Sequence, residues 1–202
     1  MNRPITAELR VQPPITRGKG ERGFTLIEMM AVVAVLMVIM TMAIPLFTNV
    51  LRTYQLSGDA RAIAGQISLA SMRAANGFTR SRLHLITTSG GAYNGTYQLQ
   101  LWNKTTSAFA VDGTGGEPPL SQGVTFSAGQ ASSAPPNSQT TVAETGDIVF
   151  NSRGIPVDPT TFAPVATDVI YISNKVGTYA IAVSPTGQIN TWQYSSGAWV
   201  QR

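Results

Sequence analysis

The sequence predicts an α+β protein in which a long N-terminal helix packs on a small antiparallel β-sandwich. Three observations lead to this class. The first is an apolar run of membrane length, residues 24–50, in which Glu28 is the only charged side chain. The second is an amphipathic segment over residues 51–77. The third is the composition of residues 78–202, where short apolar stretches alternate with Ser, Thr, Gly and Pro.

The apolar run is long enough to cross a membrane as one helix, because about 20 residues at ~1.5 Å each cover a hydrocarbon core of ~30 Å. A removable secretory peptide has a shorter apolar region and a small-residue cleavage site, and Met42-Ala43-Ile44 is a poor match to that pattern. Residues 1–23 carry five basic and two acidic side chains, and basic flanks stay on the cytoplasmic side. We therefore expect a single-pass inner-membrane protein with a cytoplasmic leader and a periplasmic C-terminal domain.

Charge and cysteine content restrict the function classes. Of the 14 Lys and Arg residues five lie in residues 1–23, and of the 10 Asp and Glu residues two lie there, so the remainder is nearly neutral. This balance argues against nucleic-acid binding driven by global charge. The chain has no cysteine, which excludes thiol nucleophiles, zinc–thiolate sites, disulfides and a lipoprotein anchor.

The junction Arg22-Gly23-Phe24-Thr25-Leu26-Ile27-Glu28 joins the basic segment to the apolar run. A charged side chain in a membrane costs about 2.5–3.5 kcal/mol at a helix centre, so such residues usually have a partner. Alternatively, Glu28 lies at the membrane–water interface without a partner, where the helix dipole stabilises its charge. Glycine alone, as at position 23, is common in any flexible junction.

The combined junction resembles the type III signal of type IV pilins and type II secretion pseudopilins. The resemblance implies that a prepilin peptidase cuts between Gly23 and Phe24, removes residues 1–23, and N-methylates Phe24. It implies an assembly role for Glu28, which pairs with the N-terminal amine of a neighbouring subunit. It further implies a type IV pilin-like fold and four kinds of partner: other pseudopilins or pilins at a filament tip or shaft, the peptidase, an inner-membrane assembly platform, and membrane lipid.

One helix is predicted from about Thr25 to Ala75, with Asn76-Gly77 as its C-terminal stop. Pro45 removes a backbone donor, so we expect a kink or a melted stretch near residues 41–45; many pilins carry a proline at the matching place. Apolar residues beyond the membrane recur at spacings typical of one helix face, and this stripe should pack on the following domain. Its members are Leu56, Ala60, Ile63, Ile67, Ala70 and Ala74.

Seven short strands are predicted in residues 78–202, which form one periplasmic domain. They cover residues 82–87, 96–102, 124–126, 147–150, 169–172, 179–183 and 188–192. The loops between them are rich in Gly, Ser and Pro, as at residues 90–91, 115–119, 131–139 and 157–166.

Two segments of this domain resemble the C-terminal pattern of the GspH/FimT family, the minor pseudopilins of type II secretion and minor pilins of type IV pili. They are residues 150–156, with Gly154, and residues 181–189, with Gly187. Physically, each glycine predicts a turn with positive φ. DNA-binding FimT-type members are thought to use a Gly-Arg-x-Arg pattern after the final glycine, and Gly187-Gln188-Ile189-Asn190 lacks it, so that site is not carried over.

No catalytic, cofactor or metal site is predicted. The single His84 has no second ligand near it in sequence, and the acids Glu144, Asp147, Asp158 and Asp168 lack an ordered calcium-loop spacing. Phosphate and stacking contacts to DNA remain open as a weaker alternative, through Arg73, Arg80, Arg82, Trp192, Tyr194 and Trp199.

The function that the resemblance implies is that of a minor pseudopilin, a structural subunit of the type II secretion pseudopilus that takes part in protein export across the outer membrane. The alternative is a minor type IV pilin in pilus assembly or DNA uptake. An enzyme is not expected.

Overall fold

A computed structural model describes residues 23–87, 95–113, 118–142, 146–165 and 167–202. The chain divides into two compact units, Met1–Ala43 and Ile44–Arg202, which are taken in turn. Most of the predicted leader lies outside the described residues, as do Glu144 and the predicted loop at residues 90–91.

Helix α1, Leu26–Asn76, agrees with the predicted helix to within one residue at each end. In the first unit its apolar side chains are exposed, and they include Met30, Val35, Met37 and Ile39. By length and composition this helix could cross a membrane, and none of the residues in its most apolar stretch is buried. An exposed apolar surface of this extent needs a nonaqueous environment or a partner.

Residues 41–45 are helical throughout, so the melted stretch that we expected near Pro45 is not seen. Two threonine hydroxyls near the proline donate to backbone carbonyl oxygens one turn back: Thr41 Oγ1 to Val38 at 2.7 Å and Thr48 Oγ1 to Pro45 at 2.9 Å. Hydroxyl groups of this kind satisfy carbonyls near a helix proline and favour bending. A kink at Pro45 remains a prediction.

In the second unit the helix contributes one face to the core. The six residues of the predicted stripe are the buried residues of α1, and each is at most 2% exposed. They share one hydrophobic cluster with side chains from both β-sheets, among them Leu83, Ile148, Ile170 and Ile181. The predicted packing of the helix on the β-domain is therefore confirmed.

The helix ends in a Schellman motif, in which the Thr79 N–H bonds the Ala74 carbonyl at 3.2 Å and the Phe78 N–H bonds the Ala75 carbonyl at 3.4 Å. The predicted stop at Asn76-Gly77 is close, but the left-handed residue is Phe78, with φ of 45°, rather than Gly77. Phenylalanine occupies a backbone conformation that favours glycine, and its side chain is 77% exposed.

The strands form two antiparallel sheets, as predicted, although the described residues contain nine strands instead of seven. The five-stranded sheet has the order β3-β2-β1-β4-β5, and its strands are β1 (Ser81–Ile86), β2 (Thr96–Asn103), β3 (Ala108–Val111), β4 (Ile148–Phe150) and β5 (Pro156–Val157). The four-stranded sheet has the order β6-β7-β8-β9, and its strands are β6 (Asp168–Ser173), β7 (Thr178–Val183), β8 (Ile189–Ser195) and β9 (Ala198–Gln201).

Four of the strand assignments need correction. The sequence analysis missed β3, β5 and β9. The predicted strand at residues 124–126 is instead an isolated bridge, in which Thr125 pairs with Ser173. Val124 is nevertheless fully buried in the core, which explains the apolar pattern that suggested a strand.

Polar contacts also join the helix to the β-domain. The Asp59 carboxylate accepts hydrogen bonds from the Ser121 N–H and hydroxyl, both at 2.9 Å. Burial raises the pKa of Asp59, and these two bonds oppose the rise. Ser81 Oγ donates to the Ala70 carbonyl at 2.6 Å in a buried site. The first pair of bonds fixes the helix to a loop 62 residues away in sequence, and the last fixes it to strand β1.

Asp168, at the start of β6, gives a pH-dependent term in stability. Burial is the main cause that raises the pKa of its carboxyl from the ordinary 3.8 to about 6. A hydrogen bond from the Val169 backbone opposes this rise, and the negative charge of Asp158 contributes to it. The folded chain therefore binds this proton more tightly than the unfolded chain, so the contribution of Asp168 to stability is greatest below pH 4. That contribution falls as the pH rises to about 6, and it is constant above that value.

We expect Asp168→Asn to remove this fall, so that the wild type loses stability relative to the variant between pH 4 and 6. Thermal unfolding of the membrane-extracted chain, followed by circular dichroism across this range, measures the difference. Asp158→Asn is the control. Hydrogen bonds from the N–H groups of Thr161 and Thr160 lower the pKa of Asp158, so the contribution of this carboxylate to stability rises with pH instead of falling. Parallel profiles for the wild type and Asp168→Asn would contradict the prediction.

Candidate functional site at the start of the helix

Thr25 forms the N-cap of helix α1. Its carbonyl accepts hydrogen bonds from the N–H groups of Glu28 and Met29 at 3.1 and 3.2 Å, and its hydroxyl accepts a bond from the Glu28 N–H at 3.3 Å. Threonine followed three residues later by glutamate is the pattern of a capping box. This pattern is visible in the sequence, but it was not used to predict the start of the helix. It explains why the helix begins at Leu26.

Glu28 lies in the first turn of the helix, where a negative charge is stabilised by the helix dipole. Its side chain is exposed, and within the described residues no cation lies within ion-pair distance of it. Phe24, Leu26 and Ile27 beside it are each more than 70% exposed. The site thus presents a single carboxylate surrounded by exposed apolar side chains.

Gly23 is not required by the local structure. Among the described residues, nothing lies within 4 Å of a side chain built at this position, and its φ is not in the left-handed range. The fold therefore gives no reason for glycine at position 23.

Comparison with known families identifies this junction. Residues 18–44 match the family model described as the prokaryotic N-terminal methylation motif. The junction is a prepilin-like methylation signal. The methylation signal covers Gly23, Phe24, Glu28 and the first half of the apolar helix, and it indicates a type IV pilin-like or pseudopilin protein. Together with the apolar helix it is consistent with a single-pass, membrane-anchored chain.

Searches of curated proteins and of solved structures gave no significant match. The methylation signal covers only the N-terminal part of the chain, so the β-domain has to be interpreted from its own geometry.

The two C-terminal motifs form adjacent turns. In the first, the Gly154 N–H bonds the Asn151 carbonyl at 2.9 Å, and in the second the Gly187 N–H bonds the Ser184 carbonyl at 2.8 Å. Their φ values are 74° and 82°, which confirms the predicted positive φ at both glycines. Ser71 Oγ donates to the Gly154 carbonyl at 3.0 Å, and a Cβ atom at position 187 would lie 3.4 Å from that carbonyl oxygen. The two turns therefore meet against the helix.

His84 and Asp147 belong to a polar network on β1 and the segment before β4. His84 Nδ1 lies 2.7 and 2.8 Å from the two Asp147 oxygens, and the Arg82 guanidinium donates to the same carboxylate at 2.9 Å. The Leu85 N–H also bonds Asp147, at 3.1 Å. This network gives His84 a structural role. Among the described residues no three His, Cys, Asp or Glu side chains lie close enough to hold a metal ion.

The predicted stacking surface for DNA is not assembled. Arg80 and Arg82 lie at or beside β1 in one sheet, whereas Trp192, Tyr194 and Trp199 lie on β8 and β9 in the other. Tyr194 and Trp199 pack on each other with ring centroids 5.0 Å apart, and Trp199 Nε1 donates to the Ser133 carbonyl. The aromatic rings that do contact arginines are Trp102, Phe109 and Phe162.

Proposed function

We propose that the chain is a minor pseudopilin, a structural subunit of the type II secretion pseudopilus that takes part in protein export across the outer membrane. The observation that carries the proposal is the methylation signal at the start of an exposed apolar helix whose second half is built into a β-domain. In this proposal the apolar half is first a membrane anchor and then a filament contact. The leader is cytoplasmic, and the β-domain is periplasmic.

The local geometry supports a processing step at Gly23. Nothing in the described residues lies close to Gly23, and the absence of a side chain lets a peptidase approach its backbone closely. A cut after Gly23 would create a new amine on Phe24, close in sequence to the exposed Glu28 carboxylate. An amine and a carboxylate that approach in a nonpolar environment attract strongly, so Glu28 of one subunit can pair with the amine of its neighbour.

A minor type IV pilin would use the same signal, and this alternative differs in the machine that assembles the subunit. The sequence disfavours its DNA-uptake form, because Gln188 and Asn190 stand where the Gly-Arg-x-Arg pattern would place arginines. Neighbouring genes separate the two machines: an outer-membrane secretin with secretion components favours the pseudopilus, and a retraction ATPase favours the pilus.

The first test of the proposal is the mature N-terminus. We expect mass spectrometry of the membrane-extracted chain to show a protein that begins at N-methylated Phe24, because a prepilin peptidase removes residues 1–23. Cells that lack the peptidase serve as the control, and they should contain the full-length, unmethylated chain. A retained leader in cells with an active peptidase, or a cut after Ala43, would overturn the proposal.

A further inference from the structure

Arg80 is held between two aromatic rings at the surface of the β-domain. The central carbon of its guanidinium lies 4.0 Å from the centroid of the Phe162 ring and 5.3 Å from that of Trp102. The ring of Phe109 meets Trp102 edge-on, with centroids 5.1 Å apart, and also lies against Arg82. We call Arg80, Trp102, Phe109 and Phe162 the arginine–aromatic cluster.

Among the described residues Arg80 has no anionic partner, unlike Arg73 and Arg82. Arg73 is paired with Asp112, with 3.3 Å between Nε and Oδ2, although without hydrogen-bond geometry. Arg82 is paired with Asp147 at 2.9 Å. Within the part of the chain that the structure describes, the Arg80 guanidinium has no hydrogen bond and no ion pair, only its contacts with the two rings. The guanidinium donors of Arg80 are therefore available to a ligand.

Phe162, in the cluster, and Phe78, two positions before Arg80 in the sequence, are both strained. Phe78 and Phe162 have φ values of 45° and 56°, a conformation that bulky side chains rarely adopt. The loop around Phe162 is fixed by Asp158, whose Oδ1 accepts hydrogen bonds from the N–H groups of Thr160 and Thr161 at 2.8 and 2.7 Å. Strain of this kind persists where the surrounding structure imposes it, and it is concentrated at functional surfaces. The Phe162 ring lies on Arg80, and the Phe78 ring is 77% exposed.

From these contacts we infer that the arginine–aromatic cluster binds a protein segment that carries one carboxylate between aromatic or apolar side chains. The carboxylate pairs with the Arg80 guanidinium, whose planar geometry suits bidentate bonds. The flanking side chains of the partner pack on the ring of Phe162, which is 39% exposed. This inference does not depend on which machine assembles the chain.

The charge distribution favours a single carboxylate over a polyanion. Arg73 is paired with Asp112, and Arg82 is paired with Asp147. Of these three arginines, only Arg80 has no anionic partner among the described residues. Binding of a nucleic acid depends on several cations that contact successive phosphates. The Arg80 guanidinium, stacked between two aromatic rings, instead suits a ligand with one carboxylate between apolar side chains.

The test uses the full-length chain in detergent micelles, with ¹⁵N-labelled tryptophan. The chain has three tryptophans, and the indole signal of Trp102 reports on the cluster while the other two serve as internal references. The probe is an acetylated and amidated peptide, Ser-Tyr-Asp-Tyr-Ser, and its matched control has Asn in place of Asp. Inorganic phosphate and a single-stranded oligonucleotide are titrated separately.

We expect the Asp peptide to shift the Trp102 signal in a saturable manner, and to bind about tenfold or more tightly than the Asn peptide. Arg80→Gln should remove this preference, and Arg80→Lys should weaken binding because lysine lacks the planar fork. Arg153→Gln, at an exposed turn, should have no effect. Circular dichroism checks that each variant folds, and if Arg80→Gln does not fold, Arg80→Lys decides.

Three results would overturn the inference. Equal affinities for the Asp and Asn peptides would remove the role of the carboxylate. The absence of a saturable shift up to about 10 mM peptide would show that the cluster does not bind such a segment. Tighter binding of phosphate or of the oligonucleotide than of the Asp peptide would assign the cluster to a free anion or to nucleic acid.

Discussion

Replacing Glu28 by leucine is expected to leave membrane insertion intact and to abolish incorporation into a filament. The carboxylate is exposed in the first turn of an apolar helix, where it costs free energy in lipid unless a partner charge compensates it. Leucine removes this cost, and it also removes the attraction to the amine of a neighbouring subunit that we propose for Glu28. Membrane fractionation measures insertion, and complementation of a deletion strain for secretion or piliation measures assembly.

Two controls separate the charge from the helix cap. Glu28→Gln keeps a good helix former and a polar side chain but removes the charge, so it should fail as leucine does. Met29→Leu changes an adjacent apolar residue to another and should behave as the wild type. Loss of the favourable dipole interaction alone is worth only about 0.3–1 kcal/mol. If Glu28→Leu complements fully, the glutamate serves only to stabilise the helix start.

Gly154→Ala is expected to destabilise the β-domain by roughly 3 kcal/mol. The left-handed backbone at φ of 74° costs about 1–2 kcal/mol for an L-residue, and overpacking costs about 1–3 kcal/mol. The added Cβ would lie 2.8 Å from Ser71 Oγ and 3.1 Å from the Ser71 carbonyl oxygen, so the helix or the turn must move. Thermal unfolding followed by circular dichroism measures the loss.

Gly58→Ala is the matched control, since it adds the same methyl group to a helix position with nothing within 4 Å. Alanine is favoured over glycine in helices by about 1 kcal/mol, so this variant should unfold at a higher temperature than the wild type. A Gly154→Ala variant that unfolds as the wild type does would show that the turn is not fixed against the helix.

The helix could be predicted closely because its burial follows one physical periodicity. Leu56, Ile63 and Ile67 recur on one face, and no other arrangement of the segment would bury them together. The core strands β6 and β7 were also predictable, because they are short runs of branched and aromatic residues that the structure buries along their whole length.

The missed strands β3 and β9 are short and contain no buried residue, so burial left little pattern in their sequences. The missed strand β5 is buried but very short. β5 has two residues, and its first, Pro156, lacks the N–H group that most strands use. β9 had a usable signal that was overlooked: Ser196-Gly197 joins β8 to β9, and both residues have positive φ, as a two-residue hairpin turn requires.

The methylation signal could be predicted because its residues are contiguous in the chain. The arginine–aromatic cluster could not, because Arg80, Trp102 and Phe162 come from separate segments that only the folded sheet brings together. The positive φ of Phe78 was also unpredictable, since local propensity favours glycine at that place and Gly77 was the adjacent choice.

The buried stripe of the helix has a consequence for biosynthesis. Ribosomes make Leu56 to Ala74 before any strand exists, yet these side chains are covered only by strands that extend as far as Val183. The bonds from Ser71 to Gly154 and from Asn174 to Arg52 likewise close long chain loops. Contacts between such distant segments form slowly, so the nascent chain carries an uncovered apolar stripe until almost the last strand is made. During that interval we expect the chain to be prone to aggregation.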